Sequence, residues 1–151
     1  MMAQTDLAQQ TLIEHNMLTL IMEGLRNTLA WKTQDDAARK LSTLRFIMQS
    51  FQRHLGRVLA LEEYDGYMDL LVLTSSQLGN TVDALRREHE QFRQEASRIV
   101  HQFENVSATD GDLFARLCDE LAGLLNRIDT HDRKEANLMQ DAFTQDEGGE
   151  G

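Results

Sequence analysis

Apolar side chains recur at steps of three and four residues along almost the whole chain, a spacing typical of amphipathic helices. The first stripe predicts a helix over about residues 5–31. The second stripe begins at Leu41, after a predicted cap at Thr33 or Gln34, and predicts a helix that continues, with a bend allowed at Gly66, into the early 70s. The third stripe covers about residues 82–103, and the fourth about residues 117–142.

Polar segments separate these stripes: WKTQDDAARK, TSSQLGN and SATDGD. Clusters of this kind mark turns, and Asp110 is placed to cap the start of the fourth helix. Long helices with short connections predict an all-α fold, an up-down-up-down antiparallel four-helix bundle. An extended coiled coil is the alternative, but the stripes are wider than its narrow apolar seam.

The domain organisation follows from the same pattern. Residues 1–143 form one bundle domain, because 151 residues suffice for a single buried core. Residues 144–151 are acidic and rich in glycine, and we expect them to form a disordered tail.

The charge balance narrows the classes of partner. The formal net charge is −10, so no basic patch is expected to meet phosphates, which argues against nucleic acid and anionic membranes. No apolar run reaches the roughly 18 residues of a membrane-spanning helix, and the first residues do not resemble a signal peptide. Cys118 is the single cysteine, which suits a reducing compartment, so we expect a cytoplasmic protein.

Five polar residues occupy positions inside the apolar stripes, where a core side chain is expected: His15, Glu62, His89, His131 and Glu135. A carboxylate in a core costs several kcal/mol unless it is paired, protonated or bound to metal. A single core histidine is usually structural and hydrogen-bonded. Five such residues are harder to explain in that way if they meet in space.

Counting along alternating helices tests whether they meet. At 1.5 Å per residue, the five residues fall in one layer roughly 12–20 Å from the same end of the bundle, and every helix contributes to it. Imidazole and carboxylate groups are ligands of iron, manganese and zinc, and a carboxylate can bridge two cations. The residues alone indicate a metal without fixing its identity or number. Glu88 and Glu90 flank His89 and should face solvent, as should His101.

Four segments of the chain resemble the hemerythrin-like, or HHE cation-binding, family over about residues 8–143. They are IEHNMLTLIMEGL, LALEEYDGYMDLL, LRREHEQFR and THDRKEANLMQDAF. The resemblance implies a four-helix bundle with a non-haem di-iron centre, with manganese or zinc as alternatives. It also implies that the protein binds or senses dioxygen, a related small ligand or iron.

The second helix departs from the family pattern, which usually reads HxxxE there. In register with Glu62, the histidine position holds Val58. His54 lies one further turn away, eight residues or about 12 Å from Glu62. Two interpretations stay open: the site lacks one histidine and Glu63 or water substitutes, or the register is shifted and His54 is the ligand.

Three functions are therefore consistent with the sequence. The first is a non-enzymatic iron protein that binds or senses a small ligand. The second is a peroxidase- or oxidase-like activity at the same centre, where a missing histidine would leave an open position. The third is a metal-free interaction module with a degenerate site. No protein partner is indicated.

Overall fold

Four long helices make up the structure, a computed structural model that describes residues 2–32, 36–63, 68 and 76–149. Side chains are described as far as Asp141, except at positions 2–5, 7, 8 and 76. Helix α1 is Met2–Leu29, α2 is Ala37–Glu63, α3 is Gly79–Asn105 and α4 is Gly111–Gly149, and a 3₁₀ turn at Ser76–Leu78 precedes α3. The predicted all-α fold is confirmed. The predicted cap at Thr33 or Gln34, the predicted bend at Gly66 and most of the continuation of α2 lie outside the described residues.

Successive helices pack side by side in opposite directions, and α4 closes the bundle against α1. Contacts between α3 and α4 show the alternation, since Arg98 contacts Glu120 and Glu88 contacts Lys134. The residue numbers rise on one helix as they fall on the other. This is the up-down-up-down arrangement predicted from the short polar segments.

Side chains close several helix ends at one end of the bundle. The backbone N–H of Leu113 donates to Oδ1 of Asp110 at 3.3 Å, which confirms the predicted N-terminal cap of α4. Lys40, on α2, donates from Nζ to the carbonyl oxygens of Leu29 and Trp31 at 2.8 and 3.0 Å. These carbonyls at the end of α1 have no partner within the helix, so Lys40 supplies one.

Arg45, also on α2, closes the end of α3. Its Nε donates to the carbonyl oxygen of Phe103 at 2.6 Å, and its Nη2 donates to that of Val106 at 2.6 Å. One helix thus satisfies the terminal carbonyls of both neighbours through long cationic side chains that bury their stems.

The core is divided into two clusters of unequal size by the polar layer predicted from the sequence. The large cluster extends from the layer toward the end of the bundle that Lys40 closes, and it includes Phe51 and Phe103, both fully buried. The small cluster lies beyond the layer and consists of Met68, Val82, Leu85 and Leu138. The two clusters flank the polar layer on either side.

Two further expectations concern the chain as a whole. Within the part of the chain that is described, no helix combines the length and apolar character needed to cross a membrane. Helix α4 includes part of the predicted tail, but the division between residues 143 and 144 stays a prediction, because the side chains there lie outside those described.

Candidate metal centre

Four buried side chains from three helices meet in the polar layer. Glu62 on α2, His89 on α3, and His131 and Glu135 on α4 each offer one ligand atom, and these atoms lie within 4.8 Å of one another. His131 and Glu135 are four residues apart and therefore share one face of α4. Four of the five residues that the count placed in one layer thus lie together at the scale of single atoms, and His15 of α1 is not part of this buried group.

Glu62 is the least satisfied group in the layer. Its side chain is 2% exposed, and neither carboxylate oxygen has a hydrogen-bond partner. Oε2 lies 3.0 Å from Nε2 of His89, and Oε1 lies 2.9 Å from Nε2 of His15, but no N–H is directed at either oxygen. An ionised carboxylate in this condition is costly, and a cation at these oxygens would supply the missing partner.

The two buried histidines aim the same ring nitrogen into the layer. Nε2 of His89 lies 2.9 Å from Nε2 of His131 and 3.1 Å from Oε1 of Glu135, and Nε2 of His131 also contacts that oxygen. Burial tends to lower the pKa of His89, but Glu135 and Glu62 together raise it to about 9. Several ligand atoms thus surround each Nε2. Because a ring nitrogen donates at most one hydrogen bond, hydrogen bonding alone cannot satisfy all of these close contacts.

The opposite ring nitrogens are bound by carboxylates. Nδ1 of His89 lies 3.0 Å from Oε1 of Glu63. Arg93 donates to both oxygens of Glu63, from Nη1 to Oε1 at 3.0 Å and from Nη2 to Oε2 at 2.7 Å. Burial tends to raise the pKa of Glu63, but Arg93 and His89 hold it below its usual value. An ionised acceptor at Nδ1 favours the tautomer with its proton there, which leaves the Nε2 lone pair free for a metal.

His131 has the same kind of support from the neighbouring helix. Its Nδ1 lies 2.6 Å from Oε2 of Glu88, whose other oxygen accepts from Nζ of Lys134 at 3.0 Å. Burial tends to raise the pKa of Glu88, but His131 and Lys134 lower it. Each buried histidine therefore has a carboxylate–cation pair behind it, the arrangement that orients metal-binding imidazoles.

The other residues considered as ligands from the sequence lie outside the buried group of four. His15 lies at the edge of the layer, 34% exposed, beside Glu62. His54 pairs with Glu14 through Nδ1 at 2.8 Å and is not a member of the buried group. Val58, at the position of the family's histidine, is 2% exposed in the large apolar cluster. Glu63, considered as a substitute ligand, instead contacts His89 from behind.

The structure corrects the expectation that Glu88 faces solvent. Its side chain is 28% exposed and contacts His131 across the α3–α4 interface. The two residues are 43 positions apart in sequence, so no local pattern indicates the pair. His101 and Glu90 are exposed, as predicted.

The donor set fits a transition metal of intermediate hardness. It combines imidazole nitrogen with carboxylate oxygen and contains no thiolate, which suits iron, manganese or zinc bound by N and O ligands. The unpartnered oxygens of Glu62 and the oriented Nε2 atoms are the features that a cation would complete. The structure thus fits metal binding by Glu62, His89, His131 and Glu135.

Comparison with known proteins agrees with this geometry. The sequence profile of the hemerythrin HHE cation-binding domain matches residues 8–143, which include all of the residues in the polar layer. No curated protein sequence and no solved structure gives a significant match to the chain. Because the profile spans most of the chain, the protein belongs to the hemerythrin HHE cation-binding domain family.

Proposed function

We propose that the protein holds non-haem iron in its polar layer and uses it to bind or sense dioxygen, a related small ligand or iron itself. The observation that carries the proposal is Glu62, a buried carboxylate with no hydrogen-bond partner on either oxygen. A core that served packing alone would not keep such a group, because its desolvation is not repaid. Iron supplies a Lewis acid and a redox centre at this place when it is bound.

The choice of iron rests on the ligand types and the shape of the site. Two neutral imidazoles and two carboxylates balance the charge of a divalent cation while leaving coordination positions for other ligands. Zinc in structural sites is usually closed by four ligands, often with sulfur, and this layer contains no thiolate. Manganese and zinc remain competitors that a metal-exchange experiment distinguishes.

A small ligand is favoured by the depth of the site. His89 and His131 are 0% and 1% exposed, so only a molecule of a few atoms reaches their Nε2 side. A cavity of about 210 Å³ opens between α3 and α4 beside Glu88 and Phe92. The Phe92 ring, which lines this cavity, packs edge-on against His131, with ring centroids 5.2 Å apart.

The test is to load the chain with ferrous iron without oxygen, remove free metal and count the iron retained per chain. We expect retained iron, and we expect air to produce the near-ultraviolet charge-transfer absorption typical of bridged ferric ions. His131→Ala should retain less iron and lose the absorption of bridged ions, whereas the matched control His101→Ala, at an exposed position, should keep both signals. A chain that retains no transition metal would contradict the proposal.

Thermal unfolding separates this proposal from a metal-free interaction module. A metal bound only by the folded state raises stability by RT ln(1 + [L]/Kd). We therefore expect a chelator to lower the unfolding temperature of the iron-loaded protein, and His131→Ala to reduce this effect. If the chelator does not change the unfolding temperature, the metal-free interaction module is favoured.

A further inference from the structure

The carboxylate of Glu62 points its two oxygens at two different imidazoles. Oε2 faces His89 inside the buried group, and Oε1 faces His15 on the other side, at 3.0 and 2.9 Å. Neither oxygen accepts a hydrogen bond. The layer therefore offers one cation position between Glu62, His89, His131 and Glu135, and a second beside His15 and Oε1 of Glu62.

The second position needs at least one more ligand, and the family's histidine is absent there. Val58 occupies that place and contributes only packing. His54, the nearest histidine on α2, is engaged with Glu14. Among the described residues of α2, neither Val58 nor His54 therefore offers a third ligand, and α4 is the other helix that faces this position.

Asp132 lies on the side of α4 that faces His15. Asp129, three residues earlier, contacts Arg26 of α1 and so marks the side of α4 turned toward α1. Glu135, three residues later, points into the buried layer. Because positions three apart are neighbours on a helix face, Asp132 lies between these two directions.

His15 lies on the matching side of α1. It precedes Arg26 by eleven residues, or about three helical turns, so both side chains project from the same face of α1 toward α4. Asp132 is half-buried, and no hydrogen bond or ion pair joins it to another side chain in the described part of the chain. Asp132 is thus a half-buried carboxyl group with no hydrogen-bond partner among the described residues, on the side of α4 turned toward His15.

The charges around Asp132 agree with this placement. Burial, followed by the negative charges of Glu135 and Glu62, raises the pKa of Asp132 to about 6. The charge of Asp132 in turn contributes to the raised pKa of His15, after the larger effect of Glu62. Asp132, Glu62, Glu135 and His15 therefore lie close enough to interact electrostatically. The carboxylates among them outnumber the single imidazole, so the group has an excess of negative charge.

We propose that Asp132 supplies the third protein ligand of a second metal position, with His15 and Oε1 of Glu62, in place of the histidine that Val58 replaces. The inference rests on the proposed iron centre. In this arrangement α4 provides ligands to both positions, and Glu62 bridges them. The second metal position would thus take from α4 the ligand that α2 supplies in the family pattern.

The experiment counts ferrous iron per chain in anaerobic equilibrium dialysis. We expect two ions in the unaltered protein, one in Asp132→Asn and one in His15→Ala. The matched control Asp129→Asn removes a carboxylate one turn away that contacts Arg26, and it should keep two. The double variant His15→Ala/Asp132→Asn should bind one, because both changes affect the same position.

Circular dichroism and the retention of the first ion show that each variant is folded. Two ions in Asp132→Asn would overturn the inference and leave the iron proposal intact. One ion in the unaltered protein, unchanged by Asp132→Asn, would do the same. No ion in the unaltered protein would overturn the iron proposal and the inference together.

Discussion

At the scale of single residues, the polar layer is built from groups that are poorly satisfied without a cation. Glu62 is buried with two unpartnered oxygens, whereas the carboxylates behind the histidines are fully engaged. Glutamate therefore has two different roles in and around the polar layer. Glu62 and Glu135 point into the centre, and Glu63 and Glu88 fix the rings that do so.

The carboxylates behind the histidines should affect how tightly iron is held but not how many ions bind. Glu63→Gln and Glu88→Gln remove the ionised acceptors at Nδ1 of His89 and His131, and we expect metal affinity to fall by about 10- to 100-fold. Competition with a coloured chelator measures this. Glu90→Gln is the control: this exposed residue has a 3.5 Å contact with Arg93 and none with the described histidine rings, so its effect on affinity should be much smaller. Unchanged affinity in Glu63→Gln and Glu88→Gln would contradict the orienting role.

The metal-free protein should lose stability as the pH rises from about 6.5 to about 9. The pKa of His89 is raised to about 9 in the folded state, above its ordinary value of 6.5. Its protonation therefore stabilises the fold fully below pH 6.5, and this contribution is lost as the pH passes through the folded value. Denaturant unfolding of chelator-treated protein across this range measures the effect.

His89→Asn should flatten that pH dependence, because the titrating group is gone. Iron-loaded protein should also lack it, because a bound metal requires the unprotonated ring. A metal-free protein whose stability stays constant or increases between pH 6.5 and 9 would show that His89 is not held in its protonated form.

The sequence could predict the ligand layer but not its supports. His15, Glu62, His89, His131 and Glu135 interrupt apolar stripes, and a helix has a fixed rise, so a count places them at one height. Glu88 interrupts nothing, and its contact with His131 depends on the rotation of α3 against α4. Rotations of this kind arise from packing over the whole interface and leave no local pattern.

At the scale of helices, α2 packs against α1 and α3 and also forms hydrogen bonds with their C-terminal ends. Lys40 and Arg45 reach the terminal carbonyls of α1 and α3 at the end of the bundle away from the small core cluster. The sequence predicts the cap at Asp110, because an N-terminal cap is local. It does not predict Lys40, because the acceptors belong to another helix.

Lys40→Met should destabilise the fold. Lys40 is 7% exposed, and its loss leaves the carbonyl oxygens of Leu29 and Trp31 without their donor. We expect a loss of about 1–3 kcal/mol in the free energy of unfolding, measured with denaturant. The matched control Lys32→Met, at an exposed position, should stay within about 0.5 kcal/mol of the unaltered protein. Equal stability of the two variants would contradict the capping role.

At the scale of the whole molecule, the polar layer lies between two apolar clusters that differ in size. The large cluster contains Phe51, Phe103 and most of the buried leucines, and it can hold the bundle together without a metal. The small cluster around Val82, Leu85 and Leu138 has few buried neighbours of its own. Its order should therefore depend on the layer that joins α3 to α4.

Hydrogen exchange should show this division. In chelator-treated protein we expect the amides of Leu85–Glu88 and of the α4 segment near Leu138 to exchange faster than in iron-loaded protein. The amides from Ala96 to Phe103 should stay protected in both, because they lie in the large cluster. A uniform change over all four helices would mean that the metal stabilises the bundle only as one unit.

Lys40 also has a consequence for chain connectivity. It joins α2 to the end of α1 through hydrogen bonds, and α1 buries Leu18, Met22 and Leu25 against the rest of the bundle. We therefore expect these contacts to keep α1 in place even when the segment between the two helices is cut. A chain cut by a protease at a site introduced after Lys32 should elute from gel filtration as a single complex. The two fragments, expressed separately and then mixed, should associate and restore the proposed iron centre.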